Sequence, residues 1–265
     1  MPLRLSFMFL GLAVLASGAA AAPPRLMSWT VEGVPREALV FVPTAGGPGE
    51  THPLVFAFHG HGGNMHGAGK FGLQNRWPRA IVVCPQGLDA VSRRDPQGRK
   101  PGWQRLAGDD GNRDLKFFDA MLATLRSEYH VDDRRIFATG FSNGAFFSLL
   151  LWLERGEVFS AVAIVAGSLD PSQHLVSPKP VLQIAGLADP LVTPDKVRAT
   201  IAEERRANAA QAEGRQCGSG CTLFRGNRAD VKVIWHPGGH VYPAQAAQWS
   251  VEFFRGFAAA SAVAK

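Results

Sequence analysis

Six short apolar runs, each followed within two residues by Gly, Pro or His, alternate along this chain with longer stretches of helical period. No other feature restricts the fold as strongly. The runs are Leu54–Phe58, Ala80–Val83, Arg135–Thr139, Ala161–Val165, Val181–Ile184 and Val231–Trp235. Their Val, Ile and Phe content suits strands covered on both faces. The stretches Leu115–Tyr129, Asn143–Leu153, Pro194–Glu213 and Pro243–Phe257 predict helices; in the first, Leu115, Phe118, Met121, Leu122 and Leu125 recur at helical spacing and belong to the core. Strands alternating with helices imply an α/β fold with a mostly parallel central sheet and helices on both faces. Ahead of them, Leu26–Val31 and Ala38–Val42 flank Glu32, Gly33, Val34 and Pro35, which predicts an antiparallel hairpin at the N-terminal sheet edge. Leu88–Asn112 and Arg205–Arg228 lack a clear pattern and read as loops that shape whatever pocket exists.

With 265 residues, 46% hydrophobic and 19% charged, the chain suits one globular domain and excludes a disordered or collagen-like polymer. Its start reads as an export signal: Arg4, the apolar run Leu5–Leu15, then small residues from Ala16 to Ala22 that offer cleavage sites. The run is shorter than the ~20 residues a membrane span needs. The expectation is therefore a signal peptide over residues 1–22 and a single domain over 23–265, secreted to the periplasm or the extracellular space, with no stable membrane association after cleavage. The formal charge is +6, and basic residues are scattered apart from Arg93, Arg94, Arg99 and Lys100, which read as solvated surface. No basic helix with interleaved aromatics points to nucleic acid. Of three cysteines, Cys217 and Cys221 bracket a Gly-rich stretch that could fold back into a disulfide, whereas Cys84 ends an apolar run and reads as a buried, inert thiol.

Gly140, Phe141, Ser142, Asn143 and Gly144 spell G-x-S-x-G between a strand run and a helix. About 0.2 chance matches are expected in such a chain, so the strand-to-helix context carries the weight. A turn sharp enough to lift a serine off a strand end needs positions without side chains two before and two after it. The helix N-terminus behind that serine favours negative charge. A serine hydroxyl attacks only when a base removes its proton. Of eight histidines, His236 and His240 follow the last strand run, and Gly238 and Gly239 give His240 the freedom to fold back over the sheet. His240 is expected as the base, with His236 as a supporting or structural residue. Asp189 follows the preceding strand run and is expected to orient the base, while Asp195 and Asp170 read as cap and turn residues. The order Ser, Asp, His is that of the nucleophile-elbow hydrolases. The Gly-rich loop Phe58–Gly63 offers backbone N–H groups for an oxyanion, and the backbones of His61 and Asn143 are expected to donate. His59 and His61 lack a third ligand nearby, so no metal and no cofactor is expected.

These pieces together resemble the branch of α/β-hydrolases that contains feruloyl esterases and polyhydroxybutyrate depolymerases. The resemblance covers roughly Val40 to Phe257 through PLVFAFHGHGGN at Pro53–Asn64, VVCPQG at Val82–Gly87, DLKFFDAML at Asp114–Leu122, VDDRRIFATGFSNG at Val131–Gly144, AGLADP at Ala185–Pro190 and WHPGGH at Trp235–His240. It implies Ser142, Asp189 and His240 as a catalytic triad, in agreement with the residue-level reading. It also implies that Trp103 lines the acyl pocket, although a loop Trp packed on the rim fits the sequence equally well. Two positions depart from the branch: Arg113 precedes Asp114 where a second acid is common, and Ala145 follows Gly144 where a second Gly is common.

The implied activity is two-step hydrolysis of carboxylic esters, either hydroxycinnamoyl esters on plant polysaccharide or hydroxyalkanoate oligomers and polyesters. Peptidase or amidase action by the same residues, and a binding protein on a hydrolase scaffold, are the alternatives; the intact glycines and triad argue against the last. The partner expected is an ester substrate, small, oligomeric or polymeric.

Overall fold

The computed structural model describes residues 23–47 and 49–263, the side chains from 258 onward excepted. The expected signal peptide, residues 1–22, lies outside the described residues. The chain runs β1 (Arg25–Val31), β2 (Val34–Phe41), β3 (His52–Phe58), α1 (Met65–Gly69), α2 (Leu73–Arg76), β4 (Ile81–Pro85), β5 (Leu88–Asp89), β6 (Pro101–Gly102), α3 (Arg113–Glu128), β7 (Val131–Phe141), α4 (Asn143–Arg155), β8 (Ala161–Val165), β9 (Val181–Gly186), α5 (Pro194–Asn208), β10 (Arg215–Gly218), β11 (Cys221–Phe224), β12 (Val231–His236) and α6 (Ala246–Val263). Ten strands make one sheet in the order β1-β2-β4-β3-β7-β8-β9-β12-β11-β10, while β5 and β6 pair separately. The six strands from β4 to β12 are parallel, and both edges are antiparallel. This is the α/β-hydrolase fold.

Alternate residues of each central strand enter different cores, as the two-residue period requires. Leu54, Phe56 and Phe58 of β3 pack with Phe118 of α3, Phe147 of α4 and Ile201 of α5. Val55 and Ala57, on the other side, join Ala68 of α1, Leu73 of α2 and Phe254 of α6. Both faces are therefore closed to water, which explains why these runs carry no polar alternation. Aromatic packing adds to the burial: Phe58 meets Phe147 and Trp103 edge-on at centroid distances of 5.0 and 5.2 Å. Such pairs contribute roughly 0.5–1.5 kcal/mol each beyond area burial.

The sheet has a second antiparallel edge where Arg205–Arg228 was expected to be a loop. There α5 stops at Asn208, earlier than the predicted Glu213, because Ala209 turns into the left-handed region at φ 49°. The hairpin β10–β11 follows, closed by a disulfide between Cys217 and Cys221 with Cα atoms 5.1 Å apart. Its strands have four residues each, and β10 is exposed throughout, so neither leaves an apolar pattern to read. The last helix begins at Ala246 rather than Pro243. Short helices α1 and α2 were not foreseen, being too brief to show a period.

β3 and β7 lie side by side, Phe58 opposite Gly140. The chain leaves β3 for α1 on one face of the sheet and leaves β7 for α4 on the other. A crevice opens at the carboxyl ends of neighbouring strands whose connections part in this way, and ligand sites of open α/β sheets form there.

Candidate active site

Ser142 stands in that crevice, between β7 and α4, with φ 54° and ψ −116°. A non-glycine residue held there is strained, at a cost of about 1–3 kcal/mol that the surrounding turn must sustain. Its neighbours show how: a Cβ on Gly140 would lie 2.2 Å from Gly144 O, and one on Gly144 would lie 2.3 Å from Phe58 O. Both positions exclude any side chain. Ser142 N donates to Val165 O at 2.9 Å, tying the turn to β8.

Ser142 Oγ lies 2.8 Å from His240 Nε2, and His240 Nδ1 lies 2.7 Å from Asp189 Oδ2. Asp189 is 3% exposed, and its Oδ1 accepts from Leu191 N at 2.8 Å and Val192 N at 2.9 Å. The carboxylate is thus fixed from the loop after β9, and its free oxygen holds one nitrogen of the ring. His236, the last residue of β12, accepts from Gly238 N at its Nδ1 at 3.2 Å, and burial holds its pKa below the ordinary value. Asp195 lies inside the first turn of α5 and pairs with exposed Arg198 rather than capping the helix, whereas Asp170 accepts from Ser172 in a local turn as expected.

The loop after β3 presses on the elbow: a Cβ on Gly60 would sit 3.1 Å from the Phe141 ring and 3.5 Å from Ser142 Cβ. The backbone N–H groups of His61 and Asn143 have no hydrogen-bond acceptor among the described residues. His59 is 2% exposed and neutral, since burial lowers its pKa; its Nδ1 donates to Gly60 O at 2.8 Å and its Nε2 accepts from Gly87 N at 3.0 Å. His61 turns elsewhere, its Nε2 3.1 Å from Asp95 Oδ2. The two rings do not converge on a common point for a metal.

Trp103, expected at the acyl pocket or its rim, is 1% exposed and stands behind the elbow. Its backbone N donates to Asn143 Oδ1 at 2.7 Å, its backbone O accepts from Asn143 Nδ2 at 3.0 Å, and its indole donates to His59 O at 2.9 Å. Stacked on Phe147 at 5.3 Å, it braces the turn rather than facing the cleft. Sequence gave no sign of this, because a Trp in a Gly-rich loop looks the same whether the loop folds outward or inward. The Arg113–Asp114 departure also resolves: Asp114 is buried, bonded to Arg36 at 2.8 Å and to Gln104 N at 2.8 Å, so it bolts α3 to β2 and to the Trp103 loop. Arg113 lies beside it and donates to Asp89 O.

The cleft that contains Ser142 and His240 measures about 1260 Å³. Phe141, Phe146, Leu169, Pro171, Leu191 and Val192 give it apolar lining. Charged side chains from the β5–β6 loop and from α5 complete it, and the sequence did not mark any of them as part of a site.

A serine on an elbow at the switch point of a mostly parallel sheet, with a histidine and a carboxylate in line behind it, defines an α/β-hydrolase. The chain belongs to the Esterase family, described as "Putative esterase", whose pattern matches residues 33–255. It is 30% identical over 221 residues to feruloyl esterase C of Emericella nidulans, covering 77% of this chain and 76% of that protein. It is also 30% identical to the probable feruloyl esterase C of Aspergillus niger, over the same shares. Among solved structures, an acetyl xylan esterase from Aspergillus awamori superposes with a TM-score of 0.66 at 15% identity over 88% of this chain and 99% of that one. A ferulic acid esterase from Anaeromyces mucronatus, solved with ferulic acid, gives 0.61 at 14% identity over 91% and 93%. The protein is a carboxylic ester hydrolase of the feruloyl esterase-like branch.

Proposed function

We propose that the chain is a secreted serine esterase of feruloyl-ester type, with residues 23–265 as one catalytic domain behind a cleaved signal at residues 1–22. The observation that carries the mechanism is the unbroken line Ser142 Oγ, His240 Nε2, His240 Nδ1, Asp189 Oδ2, with contacts of 2.8 and 2.7 Å. His240 takes the hydroxyl proton as Ser142 Oγ bonds to the ester carbonyl carbon, and the carbonyl oxygen becomes an oxyanion. The free N–H groups of His61 and Asn143 receive that charge, in a site the elbow has already organised. His240 then gives its proton to the departing alcohol. In the second step water loses a proton to His240 and attacks the acyl carbon; the bond to Ser142 Oγ then breaks, His240 returns the proton to that oxygen, and the carboxylic acid leaves. No cofactor takes part in these steps.

The feruloyl class is favoured over hydroxyalkanoate polyesters because the similar curated proteins are feruloyl esterases. Among the described residues no helix is long and apolar enough to cross a membrane, in keeping with a secreted enzyme. The test is turnover of three uncharged esters, methyl ferulate, 4-nitrophenyl butyrate and the methyl ester of a hydroxybutyrate oligomer, by the protein and by Ser142→Ala. Methyl ferulate is expected to give the highest kcat/KM, and Ser142→Ala to lower kcat by about 10⁴-fold or more. Equal rates in the two proteins would remove Ser142 from the chemistry. A preferred hydroxybutyrate oligomer would replace the feruloyl assignment.

A further inference from the structure

We propose that the cleft selects esters that carry a carboxylate, bound by Arg93, Arg94, Lys100 and Lys196. This rests on the ester-hydrolase reading of the same cleft and specifies its substrate. The four side chains line the cavity that holds Ser142 and His240. None has an acidic partner among the described residues.

The acids in the cleft, in contrast, are already engaged. Asp95 accepts from His61 and from Arg99 N, and these bonds hold its carboxyl below the usual range even though burial opposes them. Asp170 accepts from Ser172 N and Oγ and faces Arg105, whose guanidinium also lies 4.6 Å above the Phe146 ring. Glu203 pairs with Arg206 at 2.6 Å and accepts from Leu175 N at 2.8 Å. The acid oxygens are therefore occupied by donors of the protein itself, while four cationic side chains line the cavity without an acidic partner among the described residues. A concave surface with low-dielectric walls concentrates such a field and draws in an anion.

All four side chains are exposed, but the loop that carries three of them is tied to the site. Arg93, Arg94 and Lys100 lie between β5 and β6, and the contact between Asp95 and His61 fixes this loop to the turn after β3. The Lys100 side chain lies beside that turn: a Cβ on Gly62 would be in ordinary van der Waals contact with Lys100 Cδ at 3.5 Å. Lys196 comes from the first turn of α5, a few residues after the Asp189 loop. Two separate elements thus carry unpaired cations to the same opening. A carboxylate is the matching group because it accepts two parallel hydrogen bonds from a guanidinium. It could stand on the acyl side of the ester, as in a dicarboxylic monoester, or on the alcohol side, as in an ester of a hydroxy acid or uronate.

Two substrate pairs, each differing only in charge, test the proposal and separate the sources. Mono-4-nitrophenyl adipate and its ω-amide place the charge on the acyl side; 3-butyryloxybutyrate and its primary amide place it on the alcohol side. In at least one pair the carboxylate is expected to have a kcat/KM about fivefold or more above the amide at low salt, a preference that falls toward unity near 0.5 M salt as screening predicts. Arg93→Gln/Arg94→Gln/Lys100→Gln is expected to bring the ratio close to one, and Arg93→Glu/Arg94→Glu to invert it. Arg255→Gln, on α6 outside the cleft, is expected to leave the ratio unchanged. Calorimetric binding of the same compounds to Ser142→Ala gives the charge preference without turnover, so a failed esterase assignment remains distinguishable from a failed charge assignment. Ratios near one in both pairs, in turnover and in binding, would overturn the proposal, as would a ratio that the triple variant leaves intact.

Discussion

In the proposed mechanism Asp189 is the residue that holds the proton of the base in place. Its Oδ1 accepts two backbone N–H groups and its Oδ2 faces His240 Nδ1. In Asp189→Asn the amide oxygen would stay on Leu191 N and Val192 N, which leaves the NH₂ facing the ring. An NH₂ cannot accept from Nδ1–H, so the ring would carry its proton on Nε2 and could not take one from Ser142. The expected outcome is a kcat lower by about 10⁴-fold with the fold and KM little changed, read by steady-state kinetics beside circular dichroism. A loss under tenfold would mean that tautomer control is not what Asp189 supplies. That His240 rather than His236 meets Ser142 follows from Gly238 and Gly239, which let the chain turn back. The position of Trp103 was not, since its contacts with Asn143 and His59 cross about 40 residues of chain.

At the scale of elements, the junction of β7 and α4 is set by close approach of backbone, and it extends to β8. Ala145, where relatives commonly have Gly, follows the elbow and is buried. A Cβ on Gly167, after β8, would lie 2.6 Å from Ala145 Cβ and 2.8 Å from Ile164 Cγ2. The methyl group that departs from the branch therefore occupies space that Gly167 leaves open. Gly167→Ala is expected to lower stability by about 1–3 kcal/mol in urea unfolding, as overpacking does. Adding Ala145→Gly should recover part of that loss, and strict additivity of the two changes would sink the pairing. Periodicity and Gly spacing sufficed to place the elbow between a strand and a helix. They could not show the hairpin β10–β11, whose four-residue strands are held by β12 and the Cys217–Cys221 bond rather than by any pattern of their own.

Across the whole molecule, one buried acid makes stability depend on pH. Glu204 on α5 is fully buried against β9, where Gln183 Nε2 donates to its Oε1 at 2.7 Å. Its Oε2 and Gln183 Oε1 both lack a donor, and a proton on the carboxyl is what would supply one. Burial pushes the Glu204 pKa up to about 8 from 4.5. A carboxyl whose folded pKa is raised keeps its proton after the unfolded chain has lost it, so stability falls as pH rises from about 4.5 to about 8 and then levels. The loss is at most about 5 kcal/mol. Glu204→Gln should flatten that slope and unfold at higher urea than the parent at pH 8; identical pH profiles would show that Glu204 is ionised without penalty.

The sequence by itself determined the layer arrangement, the antiparallel N-terminal edge, and the strand–turn–helix that carries Ser142. Each of these is written in local signals: apolar runs, helical period, and glycines where a side chain cannot fit. Only the tertiary structure decided what surrounds them. The basic cluster Arg93, Arg94, Arg99 and Lys100 read as solvated surface and is exposed, and three of its members also line the cleft because Asp95 meets a histidine 34 residues away. Contacts between distant segments leave no periodic trace in either one, so the boundary of the cleft and the charge within it emerge only when the sheet brings those segments together.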